Sequence, residues 1–205
     1  MLDLAHPAAA FGLGVALGTS PGPVQLLLFS ESSRGGLGRG LRAMAGANGT
    51  FGIMLLLLAA GLSSLEPGQA FLRALQVVGG AFLVFLAVDA VREARRPPAD
   101  REARSGGLHP ALRGAIAVLF NPGVYVFLTT TGAAVAADAG ANGGRELAFL
   151  TVGALLVGVS LSDSAMVALG AGAHRVSPRL LRIVSHALAA GLAALGLLLI
   201  ARGLT

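Results

Sequence analysis

Apolar residues fill most of this chain, in long stretches that short polar or glycine-rich segments separate. A helix needs about 20 mostly apolar residues to cross the hydrocarbon core of a bilayer. The chain contains six such stretches: residues 8–32, 38–62, 70–91, 111–136, 147–171 and 180–202. The pattern therefore predicts an all-α membrane protein with six transmembrane helices.

The first and fourth predicted spans are each interrupted near the middle. The interruptions are Ser20, Pro21, Gly22 and Pro23 in the first span, and Asn121, Pro122 and Gly123 in the fourth. Proline lacks a backbone N–H and clashes with the preceding turn, so a helix cannot continue through it undisturbed. At membrane depth the freed backbone groups need partners from the protein or a water-filled cavity. Interrupted spans in corresponding positions of two halves are typical of a transporter binding site.

One long polar segment, residues 92–110, divides the chain into residues 1–91 and 111–205, with three predicted spans on each side. We expect this segment to be a flexible cytoplasmic linker between two repeats. When Ser20 is placed on Asn121, the two interruptions fall in corresponding positions. Because each half has an odd number of spans, the second half enters the membrane from the opposite side. The expected fold is therefore a pair of inverted-topology three-helix repeats.

The composition agrees with lipid as the main solvent of the chain. Hydrophobic residues make up 55% of the sequence and charged residues 12%, against about 25% charged residues in soluble domains. The net charge of +5 comes from arginines that lie between the apolar stretches rather than on one stripe, so we expect no nucleic-acid partner. The chain has no cysteine, which excludes disulfides and thiolate metal sites.

The arginines predict how the chain is oriented in the membrane. Twelve of the 15 fall on one side of the predicted spans, and Arg73, Arg145 and Arg202 fall on the other. Short loops rich in positive charge stay in the cytoplasm. We therefore expect a multi-pass protein of the inner (plasma) membrane with both termini outside. No basic segment precedes the first apolar stretch, so that stretch is expected to be a retained span rather than a cleaved signal.

Polar residues, prolines and glycines lie at a similar depth in all six predicted spans, when residues are counted inward from the cytoplasmic ends. We expect this layer to form the substrate-binding site near the middle of the bilayer. Besides the two interruptions, its candidate residues are Gln25, Asn48, Tyr125, Asp163 and His186.

Asp163 is the most informative of these residues. A carboxylate deep in a span costs about 2.5–3.5 kcal/mol on insertion scales, so it is rarely present without a function. Ser160, Asp163 and Ser164 fall on one helix face, which we expect to point inward. Asp163 is interpreted as the group that binds a substrate amine or carries a proton. A structural hydrogen bond to a neighbouring helix is the alternative.

The unwound segments supply backbone groups for a ligand. The N–H groups that open the half-helices after Pro23 and Pro122 carry partial positive charge suited to a carboxylate. Gly22 and Gly123 would let the ligand approach the backbone closely, and a plain kink filled by a neighbouring side chain is the alternative. We expect Asn121 to bridge its interruption or to cap the half-helix after it. Ser20 is expected to do the same in the first span.

Other polar residues have simpler interpretations beside functional ones. His186 could relay protons or pack at the interface, and Asn48, Gln25 and Tyr125 could line the pocket or only stabilise it. Ion pairs of the i,i+3 type at the membrane interface are expected for Glu31 with Arg34 and for Asp89 with Arg92. The dense glycines favour tight packing within one bundle, with a homodimer face as the alternative.

We expect no metal, no cofactor and no enzymatic activity. His6, His109 and His174 lie outside the predicted spans and lack the spacing of metal ligands. The sequence contains no Walker loop, no dinucleotide fingerprint and no pairing of a nucleophile with a base. Transport driven by ATP hydrolysis within this chain is therefore not expected.

Several stretches resemble the LysE/RhtB exporters of small amino acids. They are residues 20–23, the basic loop 34–41, the glycine-rich second span, residues 78–86, 120–123 and 191–202. The resemblance implies six spans, export of amino acids or similar small solutes, proton antiport, and a site at residues 20–23 and 121–122. The chain departs from the family's usual pattern at Val24, at Gly123 and after Thr131, where a common proline is missing.

The sequence therefore predicts a secondary transporter that exports amino acids or similar small zwitterionic metabolites, most simply by proton antiport. Its partners would be the substrate, protons and the lipid bilayer. Two alternatives stay open at this point. One is a divalent-cation exporter of the same superfamily, and the other is a membrane module that assembles partners without transporting anything.

Overall fold

A computed structural model describes residues 4–20, 22–61, 68–94, 108–173 and 178–204. The secondary structure within these ranges is helical. The elements are α1 (Ala5–Thr19), α2 (Pro23–Ala59), α3 (Gln69–Ala94), α4 (Pro110–Leu119), α5 (Pro122–Phe127), a π-helical segment (Leu128–Gly132), α6 (Ala133–Ala173) and α7 (Pro178–Leu204). The predicted all-helical architecture is confirmed for the described part of the chain.

Four helical stretches in the described ranges are long and apolar enough to cross a membrane. They are Pro23–Ala59, Gln69–Asp89, Pro122–Ala173 and His186–Leu204. The first and third are far longer than the roughly 20 residues that one crossing needs. Each of these two stretches contains an internal break, so length alone does not give the number of crossings.

The breaks in α2 and α6 are pairs of glycines with nearly the same backbone conformation. Gly35 and Gly36 have φ/ψ of −132°/20° and 70°/−170°, and Gly143 and Gly144 have −152°/21° and 68°/−167°. The second glycine of each pair has a positive φ that side chains with a Cβ adopt only under strain. The two long helices are thus interrupted by the same kind of turn.

The turn at Gly36 folds α2 back on itself. Arg39 Nε donates a hydrogen bond to Glu31 Oε2 at 2.6 Å, and Leu28 and Ala43 share one buried cluster. Leu28 and Ala43 would be about 22 Å apart along a continuous helix. The two parts of α2 are therefore antiparallel arms of a hairpin.

The chain also leaves the helical conformation at the two proline motifs. Helix α1 ends at Thr19, and α2 begins at Pro23 after an extended Gly22 (φ −153°, ψ 178°). Helix α4 ends at Leu119, and α5 begins at Pro122. Proline is well suited to the first position of a helix because its N–H would have no intrahelical partner there.

The main helix contacts join α1 to α6, α2 to α4 and α6, and α3 to α7. Glycines bring the helices so close that an added Cβ would collide with a facing carbonyl oxygen. The pairs are Gly14 with Leu155, Gly158 with Phe11, Gly114 with Ala43, Gly46 with Ala111, and Gly80 with Gly196 in both directions. Small residues permit such close approach in helices that associate within lipid.

The buried apolar residues form three clusters. The largest joins α1, the second arm of α2 and α6 around Phe51 and Leu155. A second joins Leu27 to residues of α3, α4 and α7, and a third contains Leu28, Ala43 and Val167. Most of the predicted linker lies outside the described residues: α3 extends through Ala94 and α4 begins at Pro110.

Candidate functional site

A cavity of about 250 Å³ lies between the two proline motifs. Eight of the candidate residues from the sequence line it: Ser20, Gly22, Pro23, Gln25, Asn48, Asn121, Gly123 and Asp163. They come from the end of α1, both arms of α2, the start of α5 and the middle of α6. The fold therefore brings residues that are far apart in the sequence to one small volume.

Asp163 is fully buried on α6 at the edge of this cavity. Gln25 Nε2 donates to Asp163 Oδ1 at 3.4 Å and to the carbonyl oxygen of Gly18 at 3.1 Å. The other carboxyl oxygen, Oδ2, is buried and has no hydrogen-bond partner. A buried polar atom without a partner is costly, so this oxygen is suited to a ligand or a proton.

Asn48 lies on the second arm of α2 and connects it to the polar face of α6. Its Nδ2 donates to Ser160 Oγ at 3.1 Å, and Ser164 Oγ donates to the carbonyl oxygen of Ser160 at 2.6 Å. The bond to Ser160 holds the Asn48 amide beside the cavity that Asp163 also lines. The expected inward polar face of α6 thus has a direct partner on α2.

The second interruption is stabilised by side chains on both of its flanks. Asn121 Oδ1 accepts a hydrogen bond from the backbone N–H of Gly123 at 3.0 Å and so caps α5. Tyr125 Oη donates to the carbonyl oxygen of Leu119 at 2.9 Å, at the end of α4. The Tyr125 ring packs edge-on against Phe71 of α3, with centroids 5.6 Å apart. Tyr125 therefore bridges the interruption from outside the cavity.

The first interruption has a different arrangement. The residue before α2 is Gly22, and no side chain caps this helix. Ser20 is exposed and does not act as the cap that Asn121 provides in the other motif. The first N–H groups of a helix without such a cap are left for other partners. Pro21 lies outside the described residues.

Three further candidates from the sequence do not line the cavity. Pro122 is buried and begins α5, and Tyr125 faces α3 as described above. His186 is exposed on α7 and does not line the cavity. In the described part of the chain, no group of three or more His, Cys, Asp or Glu residues is arranged to hold a metal ion.

Most of the cavity wall is apolar, and sequence reasoning did not single it out. Its apolar side chains include Phe51, Val118, Phe127 and Val159, and the rings of Phe51 and Phe127 have centroids 6.1 Å apart. Helical spacing offers a way to find them, because residues three or four apart share a face. Phe51 follows Asn48 by three residues, and Val159 precedes Asp163 by four.

A family model described as LysE type translocator matches residues 15–203. The chain belongs to this family. The resemblance that the sequence motifs indicated is thereby confirmed, and with its long apolar helices the chain is a multi-pass membrane transporter. No curated protein and no solved structure matches it.

A second polar cluster of the translocator lies where simple interfacial ion pairs were expected. Glu31 does contact Arg34 at 2.9 Å, but it is fully buried and also contacts Arg39 at 2.6 Å and Arg113 at 3.2 Å. Asp89, expected to pair with Arg92, lies 2.6 Å from Arg113 and 3.6 Å from Arg34. The expectation missed these contacts because Arg113 is distant in the sequence. We call these five residues the ion network: Glu31, Arg34, Arg39, Asp89 and Arg113.

Proposed function

We propose that this translocator is a secondary exporter of neutral amino acids that moves them across the inner membrane in exchange for protons. The observation that carries the proposal is the buried Asp163 carboxyl, with one unpartnered oxygen, at a cavity between two interrupted helices. An ionisable residue inside a membrane bundle that faces a cavity typically marks a substrate or proton pathway.

The chemistry of the cavity favours a zwitterion with a single ammonium group. Asp163 is the only charged side chain among the described residues that line the cavity. It would bind the ammonium, and the substrate carboxylate would be held by the uncapped start of α2 at Gly22 and Pro23, where partial positive charge is concentrated. A second ammonium, as in a dibasic amino acid, would have no carboxylate to pair with.

The size and the walls of the cavity favour an apolar side chain on the substrate. A volume of about 250 Å³ suits one amino acid of moderate size. Phe51, Phe127 and Val159 would surround its side chain, and burial of apolar surface gains about 25 cal/mol per Å². Valine, leucine and methionine fit this description better than glutamate, whose second carboxylate would meet apolar walls.

The proposed cycle is alternating access by two inverted repeats, residues 1–91 and 111–205, joined by the linker 92–110. Support comes from features that recur in the two halves: the near-identical dihedrals at Gly36 and Gly144, the restart of a helix at Pro23 and Pro122, and the matched glycine contacts. In this scheme the halves rock about the cavity, as in other transporters built from such repeats.

Asp163 is also the proposed proton carrier. Substrate ammonium and proton would compete for the same carboxyl oxygen, so binding of one releases the other and the two are exchanged. The exposed position of His186 away from the cavity removes the support for it as a relay to this site. Under the positive-inside rule the ends near Arg39 and Arg113 face the cytoplasm, which places both termini outside.

The cavity also bears on the two alternatives. A divalent cation such as Ca²⁺ takes six to eight oxygen ligands, whereas the lining offers one carboxylate and a few amide and hydroxyl oxygens. A module that only assembles partners predicts solid packing between the proline motifs, and the cavity there counts against it. A homodimer stays a prediction, with Gly12, Gly49 and Gly153 as candidate contact sites because each has open space beside it.

Counterflow in proteoliposomes tests the proposed substrate class. Vesicles preloaded with unlabelled amino acid would be mixed with labelled leucine, lysine or glutamate at equal concentration. We expect rapid exchange of leucine, stimulated by an imposed pH gradient, and exchange of lysine and glutamate at least about tenfold slower, which corresponds to about 1.4 kcal/mol of discrimination. Exchange of lysine at the rate of leucine would contradict the proposed binding mode, and no exchange of any amino acid would contradict the function.

A further inference from the structure

We propose that the ion network is the cytoplasmic gate of the transporter, which closes the cavity on one side and separates when the cavity opens to that side. This proposal rests on the proposed function, because a gate requires a cycle. Substrate binding and proton exchange, as proposed above, make no use of these five buried or half-buried charges, and simple packing does not require so many of them.

The network lies on the same helices as the cavity and just beyond it. Glu31 follows the cavity residue Gln25 by six residues, about 9 Å along the helix, and Arg113 precedes Val118 by five residues, about 7.5 Å. Between the two layers lie Leu28, Ala43 and Val167, each with 0% exposure. The path from the cavity to this face is therefore closed by an apolar layer and then by the ionic layer.

The network joins the two proposed repeats. Arg113, at the start of α4, is its only member from the second half, and it is 2% exposed. Its Nη1 donates to Asp89 Oδ2 at 2.6 Å and to Glu31 Oε1 at 3.2 Å, and its Nε donates to the carbonyl oxygen of Leu108 at 3.0 Å. Movement of one half against the other must therefore stretch or break the bonds of Arg113.

The network is also incompletely satisfied, as a gate that opens should be. It contains three arginines and two carboxylates, so its formal charge is +1. Arg34 Nη1 is buried without a hydrogen-bond partner, and Asp89 Oδ2 lies 3.6 Å from it. A buried polar network that is only partly satisfied is less stable than a complete one. Its separation is accordingly easier than that of a saturated cluster.

The opposite end of the molecule has no equivalent network in the described residues. In the α2 turn, the side chain of Arg39 lies against Gly35. In the matching turn of α6, the side chain of Leu147 lies against Gly143, so an apolar residue stands where α2 has an arginine of the network. The second cavity at this end, about 440 Å³, is lined mostly by alanines and glycines with Arg145. The contact of His6 Nε2 with Asp138 Oδ2 there, at 3.0 Å, involves a carboxylate that is 67% exposed. The ionic gate is thus a property of one side only.

Single cysteines can report the state of the gate, since the chain has none of its own. Val167→Cys, at a site 0% exposed in the apolar layer between the ion network and the cavity, reports opening to the cytoplasm. Ala133→Cys, which lines the second cavity, reports opening to the other side. A membrane-impermeant maleimide would be applied to inside-out vesicles for the first reporter and to right-side-out vesicles for the second.

The test variant is Asp89→Asn with Arg113→Gln, which removes one acid and one base together and leaves Glu31 paired with Arg34 and Arg39. We expect labelling of Val167→Cys to be about tenfold faster and labelling of Ala133→Cys to be slower, because opening to one side excludes opening to the other. Asp89→Asn alone, at the most exposed member of the network (27%), should give a smaller change of the same sign. Arg42→Gln, an exposed arginine outside the network, is the matched control and should leave both rates unchanged.

Two results would overturn the gate. In the first, both network variants label at the same rates as the protein with an intact network. In the second, labelling becomes faster at both reporters, which indicates general loosening of the fold. If the double variant does not accumulate in membranes, Asp89→Asn alone decides between these outcomes. Counterflow by the native protein in parallel vesicles separates this proposal from the proposed function, because native transport with unchanged labelling refutes only the gate.

Discussion

Gln25 donates one amide hydrogen bond to the buried Asp163 carboxyl, at 3.4 Å, and another to the carbonyl oxygen of Gly18, at 3.1 Å. One side chain on α2 thereby connects the last turn of α1 to the buried carboxyl of Asp163 on α6. The first interruption and the carboxyl are parts of one arrangement, and a change in either is expected to affect the other.

Gln25→Ala should weaken substrate binding more than it slows the transport cycle. Without the amide, the carboxyl loses its orienting partner and the Gly18 carbonyl loses a donor. We expect the apparent KM for leucine exchange to rise about tenfold, equivalent to about 1.4 kcal/mol, with a change in maximal rate of less than about threefold. Gln69→Ala, at an exposed glutamine that begins α3, is the control. An unchanged KM would show that Gln25 does not position Asp163.

Phe51→Ala should shift the size preference of the cavity. Phe51 is 5% exposed, lines the cavity and faces Phe127. Its truncation leaves space for a longer substrate side chain, and the ratio of phenylalanine to valine exchange should rise about tenfold or more, since a few buried methylenes are worth about 0.8 kcal/mol each. Phe85→Ala, at a ring 47% exposed, should leave the ratio unaltered. A ratio that stays the same in Phe51→Ala would place the substrate side chain elsewhere.

The turn glycines predict a stability difference between neighbouring positions. Gly36 has φ/ψ of 70°/−170°, a region that is almost restricted to glycine, so Gly36→Ala should destabilise the hairpin by about 1–3 kcal/mol. Gly38 is helical and has open space beside it, so Gly38→Ala should be neutral or slightly stabilising. Thermal unfolding of the two variants in detergent measures the difference. Equal melting temperatures would indicate that the turn is not formed as described.

A second pair of glycines tests the close contact between α1 and α6. A Cβ at Gly14 would collide with the backbone of Leu155 and Val159, whereas Gly12 on the same helix has nothing within 4 Å. Gly14→Ala should therefore cost about 1–3 kcal/mol, as overpacked sites do, and Gly12→Ala should cost nothing. Unfolding of both variants in the same detergent provides the comparison. If Gly14→Ala were as stable as Gly12→Ala, α1 would not pack on α6 as closely as here.

The elements that the sequence predicts well are those with a local cause. Pro23 and Pro122 each begin a helix after an interruption, as expected of a residue without a backbone N–H, and the count of residues along each span places Asn48 and Asp163 at a common depth. Glycines separate the predicted spans at residues 33–37 and 137–146. The structure has a tight turn at each place, at Gly35 and Gly36 in α2 and at Gly143 and Gly144 in α6. In each case neighbouring residues determine the outcome.

The features that the sequence could not reveal depend on distant partners. Glu31 has an arginine three residues away, so an i,i+3 pair at the interface is the simplest local expectation, but its partner Arg113 lies 82 residues along the chain. Tyr125 follows the proline motif closely, yet its contact with Phe71 turns it away from the cavity. Contacts of this kind are set by how the helices pack, which one sequence does not show.

The most direct test of the account is pH-gradient-driven leucine exchange by Asp163→Asn in proteoliposomes. Asparagine keeps the shape of the side chain and its contact with Gln25, but it binds neither an ammonium by charge nor a proton. Glu146→Gln, which removes an exposed carboxyl of α6, is the matched control. We predict that Asp163→Asn loses the stimulation by the pH gradient and at least about tenfold in exchange rate, while Glu146→Gln retains both. Full gradient-driven exchange by Asp163→Asn would contradict the central claim.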